Sequence, residues 1–168
     1  PKKLIANSAG TALYVAAGGS YKVVRVTVSS GSVSTIAGSG TAGYADGAAS
    51  SAKFRNVVGV YLDETRDSLY VTDGDGYSDY VREIDLSNNT VSTLATDAVM
   101  STINYPKGIA SSGDYVYVAN SGIGTVQKFH KDTGATDAED DWVVGKNRFG
   151  HEFGSQSDSL LGRPNDMV

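Results

Sequence analysis

Short apolar runs of three to five residues alternate with polar, glycine-containing turns along the whole chain. Three of these runs share a Leu/Val-Tyr-Val core, at 13–15, 69–71 and 116–118. Runs of this length, bounded by Gly, Ser, Asn and Asp, predict β-strands rather than helices. Convincing helical periodicity is absent. The pattern therefore predicts an all-β protein built from many short strands.

The strands recur as a repeating unit. Each Leu/Val-Tyr-Val run is preceded by one apolar run and followed by two more, and these flanking runs lie at 4–6, 24–26, 33–37, 58–62, 81–84, 91–95, 108–110, 126–129 and 141–144. Four strands in about 50 residues, with a turn between successive strands, are typical of a four-stranded antiparallel propeller blade. We place the units at about 1–56, 57–107 and 108–163, with 164–168 as the start of another blade.

Composition narrows the class of protein. The chain has 168 residues, 40% of them hydrophobic and 20% charged, which suits one globular domain. It has no cysteine, which excludes disulfides, thiolate nucleophiles and Cys-type zinc sites. The net charge of -5 disfavours nucleic acid as a partner, because binding to phosphates depends on clustered Lys and Arg. No apolar run is long enough to predict membrane insertion of this segment.

Three stretches carry a family resemblance: VSTIAGSGTAGYADGAASSAKFRN at 33–56, LYVTDGDGYSDYVREID at 69–85 and VSTLA at 91–95. They resemble the NHL-repeat β-propellers, and the likeness extends in outline over almost the whole chain. The sequence departs from the family at Val57, where Pro is usual, and at Ala17 and Asn120, where an Ala-Asp pair is usual. Asp73 keeps the family's acid in the middle unit.

Three blades and the start of a fourth do not close a ring, since propellers typically have four to eight blades. They would leave blade faces and a strand edge uncovered. The resemblance therefore implies that the ring is completed either by further chain, which we favour, or by other copies of this chain.

Two motifs suggest chemistry that their context does not support. The sequence at 38–43 matches G-x-G-x-x-G, and Asp63 follows 20 residues later, as in dinucleotide sites. However, a second glycine-rich break follows instead of the helix that such a site needs, so no cofactor is predicted. His130 and His151 have no evident third ligand for a catalytic zinc. No catalytic residue is predicted.

The acidic stretch VTDGDGYSDY at 71–80 leaves two alternatives open. Asp73, Asp75 and Asp79 could supply oxygen ligands to calcium, which takes six to eight of them. The stretch lacks the spacing of an EF-hand, and a plain turn between the second and third strands of the middle blade is the other interpretation. The acidic run at 137–141 is interpreted as a solvated loop.

Loop residues suggest contact with a partner. Four tyrosines lie in or beside expected loops, where aromatic side chains can anchor an interface: Tyr44, Tyr77, Tyr80 and Tyr105. Asn88 begins an N-x-T glycosylation sequon on an expected turn. We therefore expect a non-catalytic interaction module of an extracellular or cell-surface protein, which binds a protein, a glycan or copies of itself through blade loops. The alternative is a propeller lyase or hydrolase, because the NHL family includes a lyase.

Overall fold

The computed structural model describes residues 1–96, 103–136, 142–144 and 166. His151, the acidic run at 137–141 and most of the expected new blade at 164–168 lie outside these residues. Over the described chain the only helical element is a 3₁₀ turn, Gly18–Ser20. The prediction of an all-β protein made of antiparallel sheets is confirmed.

The strands form three separate antiparallel sheets, called here the first, middle and third sheet. The first sheet contains β1 (Leu4–Ala6), β2 (Ala12–Ala17), β3 (Lys22–Thr27) and β4 (Val33–Ala37), in that order. The middle sheet has the order β5-β9-β8-β7-β6, from β5 (Gly47–Ala48), β6 (Val57–Asp63), β7 (Ser68–Asp73), β8 (Tyr80–Asp85) and β9 (Thr90–Thr96). The third sheet contains β10 (Pro106–Ser112), β11 (Tyr115–Asn120), β12 (Thr125–His130) and β13 (Trp142–Val144).

The three sheets share details of register as well as strand order. In each of them the pairing between the third strand of the repeat and the next strand shifts at the same place, between Val23 and Val24, Val81 and Arg82, or Val126 and Gln127. Irregularities of this kind bend and twist a strand locally. Their recurrence supports the internal repeat that the sequence indicated, while the boundaries of the repeat units stay a prediction.

The core lies between the sheets. Apolar side chains of the first and middle sheets form one buried cluster, which includes Val23, Phe54 and Val60. A second cluster joins the middle and third sheets and includes Tyr70 and Ile109. Each sheet therefore packs face to face on the next, and burial of these faces supplies the main apolar stabilisation.

A buried ion pair also links the middle and third sheets. The Lys131 ammonium, just after β12, lies 2.6 Å from Asp63 Oδ2 at the end of β6 and donates a second hydrogen bond to the Gly113 carbonyl. Both charged side chains are almost fully buried. Asp63 therefore serves the packing of two sheets, and not the ribose contact that the G-x-G-x-x-G spacing suggested.

Candidate functional site

The middle sheet buries one arginine completely. Arg82 lies in β8, and its Nη2 donates hydrogen bonds to the Ala45 carbonyl at 2.9 Å and to Asp46 Oδ1 at 2.5 Å. Its Nη1 lies 3.3 Å from both the Lys53 carbonyl and Asp73 Oδ2. A guanidinium can be buried at acceptable cost only when charged and polar acceptors surround it in this way.

The loop that connects the first and middle sheets, residues 38–56, supplies most of these acceptors. It is called here the interblade loop. Asp46 belongs to its Gly-Tyr-Ala-Asp-Gly segment, and its carboxylate also accepts hydrogen bonds from the Thr93 amide and hydroxyl in β9. The Tyr44 ring lies 5.0 Å from the Arg82 guanidinium and stacks on Tyr80 at 4.5 Å between ring centroids. The loop is therefore fastened to the outer half of the middle sheet. Asp46 therefore has a structural role.

Asp73 completes the network from the other side. Its Oδ1 accepts hydrogen bonds from the Arg55 and Asn56 amides at 2.8 and 2.7 Å, and its Oδ2 faces Arg82. Burial raises the pKa of Asp73 to about 6, although both amides and the guanidinium favour its charged form. Because Arg82 also has the partly exposed Asp46 as an ionic partner, the guanidinium remains paired when Asp73 is protonated.

The other two sheets carry different residues at the same positions. Val71 pairs with Arg82 in the middle sheet, while the corresponding pairs are Val15 with Val24 and Val118 with Gln127. By the same register Asp73 corresponds to Ala17 and Asn120. In the third sheet the Asn120 amide donates to Gln127 Oε1 at 2.5 Å. The ionic pair of the middle sheet is thus an amide pair in the third sheet and an Ala-Val pair in the first.

The structure does not bring Asp73, Asp75 and Asp79 together as ligands. Asp73 faces the buried network, whereas Asp75 caps its own turn by accepting hydrogen bonds from the Tyr77 and Ser78 amides. Over the described part of the chain, no group of three or more His, Asp or Glu side chains is arranged to hold a metal ion. Calcium binding at this turn stays a prediction, and it would require these carboxylates to leave their present partners.

Asp79 holds the turn against the neighbouring sheet. This buried carboxylate accepts hydrogen bonds from the Gly76 amide at 2.9 Å and from the Tyr105 amide at 3.0 Å. Tyr105 has a φ of 47°, a left-handed conformation that is strained for an aromatic residue, and its carbonyl accepts two hydrogen bonds from Ser121. A methyl group on Gly76 would overlap the Tyr105 ring. The turn and Tyr105 therefore form one fixed unit.

The four tyrosines predicted to contact a partner lie around this turn. Tyr77 is 86% exposed at its tip, and Tyr105 packs on Gly76 with about half of its surface exposed. Tyr44 and Tyr80 stack on each other where β8 begins. We call these residues the tyrosine rim: Tyr44, Tyr77, Tyr80 and Tyr105. Partner binding at the rim stays a prediction; the structure places Tyr77 and Tyr105 at the turn 74–79, and Tyr44 against Tyr80 directly after that turn.

The remaining predicted residues lie elsewhere. Asn88 is exposed in the turn between β8 and β9, and its side-chain amide donates to Asp85 Oδ2 at 2.7 Å. His130 ends β12, where its Nδ1 accepts a hydrogen bond from the Asp132 amide and its ring meets Tyr115 edge to face. His130 therefore contributes to a strand end and its turn.

An open cavity of about 460 Å³ lies beside β6, β10 and the segment that precedes β1. Its lining includes Lys2, Lys3, Lys107 and Val58, and Lys3 forms an ion pair with Asp166. Lys107 and Val58 are the second residues of β10 and β6, so they occupy equivalent places in two sheets. This basic lining is not evident from the sequence, because Lys107 lies more than 100 residues away from the adjacent Lys2 and Lys3.

Arg82 was also missed as a structural centre. The sequence did contain a signal, since the residues at the same position of the other repeats are the uncharged Val24 and Gln127. Its partners Asp46 and Asp73 are 36 and nine residues away. The contact between Asp46 and Arg82 forms because the interblade loop crosses the middle sheet, which the sequence pattern does not reveal.

Comparison with known proteins gives matches at the level of fold. No family model matches the chain, and no curated protein matches it. Among solved structures, a structural genomics protein of unknown function from Bacteroides thetaiotaomicron is 25% identical with a TM-score of 0.59, over 70% of this chain and 32% of its own. A proposed 6-phosphogluconolactonase from Bacteroides fragilis is 17% identical with a TM-score of 0.58, over 99% of this chain and 40% of its own.

The periplasmic gluconolactonase of Pseudomonas aeruginosa is similar as well, at 19% identity and a TM-score of 0.53, over 98% of this chain and 43% of its own. This chain thus spans less than half the length of these structures. Over the described residues no helix is long and apolar enough to cross a membrane. The shared arrangement of antiparallel sheets shows that the chain has a β-propeller-like fold.

Proposed function

We propose that the chain is an NHL-type segment of a β-propeller, which acts as a non-catalytic interaction module and binds a partner through the tyrosine rim. The observation that carries this proposal is that the polar and the aromatic side chains at the turn 74–79 have different roles. The carboxylates of the turn hold the backbone, while Tyr77 and Tyr105 remain exposed. An exposed aromatic surface on a fixed backbone suits recognition, because little conformational entropy is lost on binding.

A protein partner is the occupant that the rim fits best. Tyrosine and arginine are enriched at the energetic centres of protein interfaces. Arg55 is partly exposed beside the rim, 3.9 Å from Asp75 Oδ2, and adds an adaptable charged pair to the aromatic surface. A glycan would use the same ring faces together with the Asp75 carboxylate.

The test compares the binding of wild-type chain and a Tyr77→Ala variant. Both would be immobilised and exposed to extracellular protein of the source organism and to an array of defined glycans. Val28→Ala is the matched control, because Val28 is an exposed apolar residue in the turn between β3 and β4. The proposal predicts a ligand that is retained by wild type and by the control and lost from Tyr77→Ala. Binding that survives in Tyr77→Ala and Tyr105→Ala would contradict it.

The extracellular or cell-surface location belongs to the same proposal. Its support is the exposed sequon at Asn88, on a turn that an enzyme of the secretory pathway could reach. The intact mass of protein from its natural source should show glycan on Asn88. An unmodified Asn88 would remove this support.

A lactone hydrolase is the second candidate, and the lysine-lined cavity beside β6 and β10 favours it. Positive charge there would attract an anionic lactone, and the proposed 6-phosphogluconolactonase has a similar fold. Hydrolysis adds water across the ring ester and releases a carboxylic acid, so it can be followed by proton release. A rate with 6-phosphogluconolactone that exceeds the buffer rate and falls in Lys107→Ala would favour this candidate. A rate equal to that of buffer would exclude it for the chain.

A further inference from the structure

The front face of each sheet is defined here as the side that packs against the preceding sheet in the middle and third sheets. Leu4, Val60 and Ile109 occupy the same register position on this face, since each pairs with the valine of the Tyr-Val strand. Val60 is 1% exposed and Ile109 is 3% exposed, but Leu4 is 54% exposed. The same site of the repeat is therefore covered in two sheets and open in the first.

A second position on the front face shows the same difference. Val33 and Val91 begin the identical segment Val-Ser-Thr, and they pair with Val26 and Ile84 at the same register. Val33 is 65% exposed, whereas Val91 is 2% exposed. Sequence does not explain this contrast, because the residues are the same. The middle sheet has a neighbouring sheet on this side, and its strand β9 is also paired with β5, which has no counterpart in the first sheet.

The open face is continuous and aliphatic. Between Leu4 and Val33 the two central strands of the first sheet contribute four half-buried side chains: Leu13, Val15, Val24 and Val26. Cross-strand pairs place them in two rows, with Leu4, Val15 and Val24 in one row. An exposed aliphatic surface of this kind marks an interaction site.

The structure also shows what covers such a face. The front of the middle sheet is buried against the first sheet, and the front of the third sheet is buried against Tyr70 and Val81 of the middle sheet. In both cases the cover is the back of another sheet of the repeat. By register, Tyr117 and Val126 are the counterparts of Tyr70 and Val81 in the third sheet, and they are only half-buried.

We propose that two copies of this chain associate head to tail, with the front of the first sheet of each copy against the back of the third sheet of the other. The contact repeats the interface that already joins the sheets within one chain. Two such contacts would give a ring of six sheets, since a head-to-tail contact produces a closed ring where its rotation closes and an open filament where it does not.

Sedimentation velocity over a range of chain concentrations tests the proposal. Wild-type chain should sediment as a dimer at micromolar concentration and dissociate on dilution. Leu4→Asp and Val33→Asp should each raise the dissociation constant about tenfold or more, because each places a charge in an apolar interface. Both side chains are more than half exposed in the single chain, so the variants should keep the circular dichroism spectrum of wild type.

Tyr77→Asp is the matched control, because it changes an exposed apolar side chain of the tyrosine rim and should leave the dimer intact. Because Tyr77 belongs to the tyrosine rim and not to the proposed dimer interface, this control also distinguishes dimer formation from partner binding at the rim. A wild-type chain that stays monomeric at all concentrations would overturn the proposal. The front of the first sheet would then bind another polypeptide instead of a second copy. Oligomers that persist in both Leu4→Asp and Val33→Asp, or that grow beyond two copies, would overturn it as well.

Discussion

The middle and third sheets have chemically different side chains at equivalent buried positions. At one pair of register positions the middle sheet has Asp73 and Arg82, and the third sheet has Asn120 and Gln127. The charged pair recruits Asp46 from the interblade loop. In the amide pair Asn120 donates to Gln127 Oε1 and accepts a hydrogen bond from the Asn104 amide, and over the described chain Gln127 Nε2 has no acceptor.

The comparison shows that the sheet itself does not need an ionic network. The first sheet has Ala17 and Val24 at these positions and still forms four strands with the same register. A buried ion pair is often neutral for stability but can specify one arrangement. We infer that Arg82 specifies where the interblade loop lies, and that apolar packing stabilises the sheet.

Removal of the guanidinium should give the largest effect. Arg82→Ala leaves the Asp73 carboxylate buried without its cation, which is expected to cost about 3–5 kcal/mol in the free energy of unfolding. Gln127→Ala removes a neutral group at the equivalent position and should cost about 1–2 kcal/mol. Urea denaturation of both variants would measure the difference. Equal losses would show that the charged network has no special role.

The pH dependence of stability should differ between the charged and the amide sheet. The pKa of Asp73 is about 6 in the folded chain, against an ordinary value of 3.8. Between these values the folded chain binds a proton that the unfolded chain does not, so this group makes the chain more stable as pH falls from 7 towards 4. Denaturation midpoints measured in this range should therefore rise for wild type more than for Asp73→Asn. An identical profile in the variant would contradict this assignment.

The sequence predicted the repeat well and the network poorly, for a physical reason. Strand positions depend on local alternation and turn residues, which are readable along the chain. The contact between Asp46 and Arg82 depends on where a loop crosses a neighbouring strand, which local pattern does not encode. Asp73 was noticed as a family acid, but it was grouped with Asp75 and Asp79 because they are close in sequence. In the structure the three side chains serve a buried ion pair, a turn and a contact between sheets.

The turn of the middle sheet should also tolerate less change than an open turn of the third sheet. Gly76 and Gly113 both have positive φ, at 89° and 55°, but only Gly76 lies against another side chain, that of Tyr105. Gly113→Ala should cost about 1 kcal/mol through backbone strain alone, and Gly76→Ala about 2–3 kcal/mol because the ring must move as well. Thermal unfolding of the two variants would measure this. Similar losses would mean that Tyr105 moves freely.

The smallest effect is expected at Asp75. Its side chain is partly exposed and caps a turn, so Asp75→Ala should change the free energy of unfolding by about 0.5 kcal/mol. Millimolar calcium should not raise the melting temperature of wild type, because the three carboxylates have other partners. A calcium-dependent rise that is lost in Asp75→Ala would instead establish the turn as a metal site.

A double-mutant cycle between Asp46→Asn and Arg82→Gln tests the central claim, that Arg82 fastens the interblade loop to the middle sheet. Urea denaturation of wild type, both single variants and the double variant gives the coupling free energy between the two side chains. The account predicts a coupling of about 1–2 kcal/mol, because the two side chains are in direct contact but Asp46 is partly exposed to solvent. Additive losses, with a coupling below about 0.5 kcal/mol, would contradict the claim.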